Sequence, residues 1–165
     1  MLWTPGHSPG HICLYEPNLK VLISGDHILP EITTIISLHV QSGPNPLRDY
    51  INSLHLIQNL EVELVLPGHE HIFRNMQQRI KQILLHHQER NNAIVNTIRS
   101  NEKSAYQISS LIPWGSGVLQ LTWSEMAPLD KRMALTETLA HLEFLCKEEK
   151  VERIARDGIV LYHAT

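Results

Sequence analysis

Short apolar runs broken by turn residues fill the first third of the chain, and they predict strands. "HICLYEP" and "VLISG" are separated by "PNLK", whose Pro-Asn pair suits a turn joining them as a hairpin. From Asn45 and Pro46 the period changes to helical, because Leu47, Tyr50, Ile51, Leu54 and Ile57 recur on one face of "PLRDYINSLHLIQ". "VELVLPGH" then reads as a buried strand stopped by Pro67 and Gly68. A long helix is expected from about Arg74 to Arg99, with Met76, Ile80, Ile83, Leu84, Ile94, Val95 and Ile98 as its apolar stripe.

Beyond Arg99 the pattern shifts. "SNEK", Ser100 to Lys103, reads as a linker between domains at 1–99 and 100–165. Short helices around "AYQISSLI" and a Gly-rich turn at "WGSG" follow it. Pro128 opens a helix whose expected apolar face is Leu135, Leu139, Leu142 and Cys146, ending in "KEEK". "VERIA" and "IVLYHA" alternate as strands about Asp157-Gly158, a pair that supplies positive φ in tight turns. The class is α+β, and helices closed by a hairpin suggest a small winged-helix domain at the C-terminal end.

Composition narrows the partners. The 165 residues suit one ordinary domain or two small ones. With no apolar run of about 18 residues and no charged leader before an apolar segment, no membrane partner and a cytoplasmic location are expected. Cys13 and Cys146 stand apart in apolar surroundings and read as reduced thiols. From Asn101 to Thr165 seven Lys or Arg face nine Asp or Glu, a balance that opposes phosphate binding and hence DNA. The eleven histidines are the unusual count.

Three strand ends in the first domain carry chemistry. His7, Asp26 and His69 each follow glycine, in "PGH", "SGD" and "PGH", and glycine lets a chain turn sharply and throw the next side chain toward a common point. Taken singly, each histidine reads as a turn residue bonded to nearby backbone. Together, two imidazoles and a carboxylate form a set that suits zinc, with manganese or iron also accommodated. Water on such an ion is acidic enough to attack at neutral pH.

"TPGHSPGH", "LISGDHIL" and "LVLPGHE", in that order, resemble the last three metal motifs of the metallo-β-lactamase-like hydrolase superfamily. "DYINSLHLI", "RIKQILLHHQERNNAI" and "ALTETLAHLEFL" are similar to a branch of it that carries a C-terminal winged helix. The resemblance implies the C-terminal half of an αββα sandwich. It also implies a binuclear zinc site, with His7 on one metal, His69 on the other and Asp26 bridging them and orienting the nucleophile. The implied reaction is attack by metal-bound hydroxide on an ester, thioester, amide or phosphodiester, so a small molecule or RNA is the expected substrate.

No HxHxDH motif occurs in this sequence. The expectation is therefore half a sandwich and half a metal site, with metal partial or absent and no activity from this chain alone. One sheet face should then need a cover: a second copy in a homo-oligomer, or an N-terminal half. A non-catalytic oligomerisation or binding module is the alternative, and a winged-helix nucleic-acid binder is a weaker one.

The remaining histidines divide by position. His11 reads either as a support for the His7 loop or as a packed hairpin residue. His27 and His71 neighbour proposed ligands, although strand alternation turns His27 away from Asp26. His86 and His87, with Arg90, resemble a family "HHxxR" run, but they read as stabilising helix packing rather than touching substrate. His39, His55, His141 and His163 carry no special expectation.

Overall fold

A computed structural model of the chain describes residues 1–115 and 121–165, so the Gly-rich turn expected at 114–117 lies partly outside the described residues. The structure divides into two units, 1–36 with 40–86 and 37–39 with 87–165; Ser100 to Lys103 falls inside the second.

In the first unit β1 (Leu2–Trp3), β2 (Ile12–Glu16), β3 (Val21–Gly25) and β4 (Leu64–Pro67) form one sheet in that order. The β2–β3 hairpin is antiparallel, whereas β4 runs parallel to β3 and therefore needs a crossover. α1 (Pro46–Ile57) lies on that crossover. It starts where expected, because the Asn45 side chain accepts from the Arg48 N–H while Pro46 occupies the first turn. Leu47, Tyr50, Leu54 and Ile57 are fully buried, as the periodicity requires. Burial of each such side chain contributes roughly 1.5–3 kcal/mol.

The two faces of this sheet differ. Cys13, Leu22 and Val65 are buried on one face. On the other, Trp3 pairs with Ile12, and Leu14, Ile23 and Leu66 lie in register across three strands. Trp3, Ile12, Leu14 and Ile23 remain 65, 42, 43 and 46% exposed. An apolar stripe thus crosses the outer face.

α2 (Met76–Thr97) begins in the first unit and ends in the second. The second unit adds α3 (Ala105–Leu111), α4 (Pro128–Lys147) and an antiparallel hairpin of β5 (Val151–Arg156) and β6 (Ile159–Ala164). Ser104 and Gln107 form a reciprocal capping box at the start of α3. Asp157 and Gly158, both at positive φ, make the hairpin turn.

The phase of α4 differs from expectation. Ala134, Thr138, Ala140, His141, Leu142 and Leu145 are its deeply buried positions; of the expected face Leu142 is among them, while Leu135, Leu139 and Cys146 pack partly buried at the margin of the core. Polar side chains took the inner positions because partners await them: the Asn91 side-chain oxygen accepts from His141 Nδ1 at 2.8 Å, and the ring nitrogens of His87 and His141 meet at 3.3 Å. Arg90 is buried too, stacked 4.1 Å from the Trp114 ring centre and donating to the Pro113 carbonyl. No helix among the described residues is long and apolar enough to cross a membrane.

Candidate metal centre

Asp26 leaves the C-terminal end of β3 directly after a register shift between Ile23 and Gly25. Such irregularities re-aim a side chain at the edge of a ladder. Its carboxylate lies between two histidines. Oδ2 is 3.9 Å from His7 Nε2, and Oδ1 is 3.4 Å from His69 Nε2. The structure thus brings all three expected residues together, each imidazole facing a different oxygen of Asp26.

The tautomer of His7 follows from its neighbours. Its Nδ1 lies 3.0 Å from the Ile35 carbonyl, which can only accept, so a neutral ring carries its proton there and turns a lone pair on Nε2 toward the site. His69 stands at the end of β4 with its side chain largely exposed.

Oδ1 of Asp26 is buried and makes no hydrogen bond; at 3.4 Å its approach to His69 lacks hydrogen-bond alignment. An unbonded buried carboxylate oxygen is unfavourable unless a cation faces it. The oxygen also occupies space that a side chain would fill, since a Cβ on Gly68 would stand 2.6 Å from it. Ligand atoms sharing one tetrahedral zinc stand roughly 3–3.5 Å apart. The His69 pair meets that spacing and the His7 pair is slightly wider. Yet no group of three or more His, Cys, Asp or Glu closes into a cage among the described residues. Both observations hold: the donors converge pairwise on Asp26 and form a fitting but incomplete set.

The loop after Asp26 is held almost carbonyl by carbonyl. Thr34 Oγ1 donates to the Asp26 carbonyl, Tyr50 to that of His27 and Ser24 to that of Ile28. The Arg79 guanidinium donates to Leu29, Glu31 and Ile32, and the Glu70 carboxylate accepts from the backbone N–H groups of Glu31 and Ile32. Glu70 itself has φ +67, an uncommon conformation for a side chain with a Cβ, directly after His69.

His11 supports this framework. Its Nδ1 meets Thr4 Oγ1 at 2.9 Å, its carbonyl accepts from the Thr4 N–H, and its Nε2 occupies the space beside Gly25. Burial and, after it, the nearby His7 ring lower its pKa. His27 is enclosed between His11 and Tyr50, and burial pushes its pKa down to about 3. Neither His27 nitrogen makes a well-formed hydrogen bond; a contact with the Ser53 backbone falls short of one. His71 lies with Arg74, Asn75 and Arg79 along a cleft of about 250 Å³. The bonds from Thr34, Tyr50, Arg79 and Glu70 were not anticipated, because no local pattern marks a long-range tether to a backbone carbonyl.

Residues 1–69 match the family profile described as the metallo-beta-lactamase superfamily. The chain is 26% identical over 152 residues to the beta-lactamase-like protein 2 homolog of Caenorhabditis elegans, covering 92% of this chain and 46% of that protein. It is 29% identical over 102 residues to an atrochrysone carboxyl ACP thioesterase of Aspergillus fumigatus, covering 62% of this chain and 30% of the relative. Among solved structures, a beta-lactamase domain protein from Burkholderia ambifaria superposes with a TM-score of 0.85 at 32% identity, over 98% of this chain and 46% of that one. The chain therefore spans less than half the length of each of these proteins.

Proposed function

Since the chain belongs to the metallo-beta-lactamase superfamily, we propose that it supplies the His7, Asp26 and His69 side of a binuclear, zinc-dependent hydrolase site. The observation that carries this reading is the Asp26 carboxylate: each oxygen faces a different imidazole, and Oδ1 is buried without a hydrogen bond. Zinc held there would supply Lewis acidity and an activated water for hydrolysis of an ester, thioester, amide or phosphodiester. Asp26 would serve as a ligand common to both positions and would orient the attacking water. The Ile35 carbonyl keeps the His7 proton on Nδ1, away from the site. A relative named as a thioesterase puts thioesters first among the substrates.

The rest of each coordination shell comes from outside these residues, so the chain alone is inactive. The exposed stripe of Trp3, Ile12, Leu14 and Ile23 is covered by a second copy or by an N-terminal half, completing the sandwich. The three helical segments and hairpin of the second unit act as a winged helix in the cytoplasmic protein. The second reading, a non-catalytic module, is favoured by the lack of a closed ligand cage among the described residues.

Zinc content per chain after exhaustive dialysis, with Asp26→Asn as the control, tests the metal centre. Retained zinc that Asp26→Asn abolishes supports it, and an empty wild-type chain favours the module. Chelator-sensitive hydrolysis of a thioester by the isolated chain would overturn the claim of inactivity.

A further inference from the structure

α1 reaches two of the three ligand-bearing loops of the first unit, those of His7 and Asp26, through two side chains one turn apart. Tyr50 donates its hydroxyl to the His27 carbonyl at 2.8 Å, adjoining Asp26 in the chain. Ser53 donates to the Pro5 carbonyl at 2.8 Å, two residues before His7. Residues at i and i+3 share a helix face, so these bonds leave the same side of α1. Both side chains are buried, Tyr50 completely and Ser53 to within 3%.

Contact with the His7 loop is closer still at Gly6. A Cβ there would stand 2.4 Å from that of Tyr50 and 2.7 Å from its backbone nitrogen, so loop and helix meet backbone to backbone. The Tyr50 ring also meets that of His27 edge-on, with centroids 5.0 Å apart. One rigid helix therefore fixes where the His7 and Asp26 loops stand, and hence the 3.9 Å between their side chains.

We propose that Tyr50 and Ser53 are positioning residues that jointly hold the His7 and Asp26 loops at a common cation, an assignment that rests on reading His7 and Asp26 as ligands. Neither touches the ion; each acts through a backbone carbonyl. Hydrogen-bonded supports of this kind set ligand orientation, and losing one weakens metal affinity about tenfold or more.

The test is a Co2+ titration of the full chain, read by visible absorption, on wild type, Tyr50→Phe, Ser53→Ala and Ile57→Val. Ile57 is buried on the same helix, but its side chain cannot hydrogen-bond to either loop. The expected result is a roughly tenfold weaker affinity and an altered ligand-field spectrum in Tyr50→Phe and Ser53→Ala, with metal-free circular dichroism preserved. Ile57→Val is expected to lower the unfolding midpoint and to leave affinity and spectrum as in wild type. Wild-type affinity and spectrum in both hydroxyl variants would overturn the assignment, as would equal weakening by Ile57→Val. A wild-type chain that takes up no Co2+ would overturn the ligand reading itself.

Discussion

Oδ1 of Asp26 stands 2.6 Å from the point where a Cβ on Gly68 would project. Something must move if that carbon is added, and the mobile partner is the carboxylate at the end of its side chain. Gly68→Ala is therefore expected to turn Asp26 away from His69 while the strands persist. The consequence is at least about a tenfold loss of Co2+ affinity, with a thermal midpoint within a few degrees of wild type. Equal losses in both would show that Gly68 serves only packing.

At Gly6 the same substitution has another outcome. The added carbon meets Tyr50 Cβ and backbone, neither of which can swing aside, and φ is +136. Gly6→Ala should cost about 3 kcal/mol or more in urea unfolding. Gly10, with nothing within 4 Å, is the comparison: Gly10→Ala should lie within about 1 kcal/mol of wild type.

The glycines of "PGH", "SGD" and "PGH" carried much of what could be read from the chain. They marked the strand ends, and His7, Asp26 and His69 do converge. The hairpins and the starts of α1 and α4 were legible for a similar reason: each is set by residues adjacent in sequence, such as Asn45 before Pro46 or Asp157 before Gly158. Long-range facts were not. β1 is only two residues and exists through its pairing with β2. The inner face of α4 was misjudged in part, Leu142 aside, because His141 looks like a surface residue until Asn91 is seen beside it.

Glu137 gives the second unit a pH dependence. Burial pushes its carboxyl up to about 7, with the nearby Arg90 opposing the shift. A folded pKa above the unfolded value means that the contribution is complete below about 4.5 and is lost as pH rises through about 7. The loss amounts to roughly 3 kcal/mol across that window. Glu137→Gln should flatten this part of the profile and be the more stable form at pH 8. His27 has the opposite slope, its contribution being lost as pH falls from 6.5 toward about 3, so urea midpoints of wild type and Glu137→Gln are compared pH by pH. Parallel profiles would refute the assignment.

The outer stripe predicts association. Leu14 and Ile23 are directly paired and each nearly half exposed. Sedimentation velocity should show the wild-type chain growing in size with concentration. Leu14→Lys with Ile23→Glu, which places opposite charges across one strand pair, should reduce it to a monomer with little change in fold. A monomeric wild type would remove the case for a second copy on this face.

The tethered loop from Asp26 to Ile32 bears on timing. Its carbonyls are engaged by Thr34, Tyr50, Ser24 and Arg79 before any ion arrives, so its conformational entropy is lost during folding. On the proposed reading of Asp26 as a ligand, a cation would meet a loop already in place rather than one that must order around it. Changes that free these carbonyls would move that ordering cost from folding to binding.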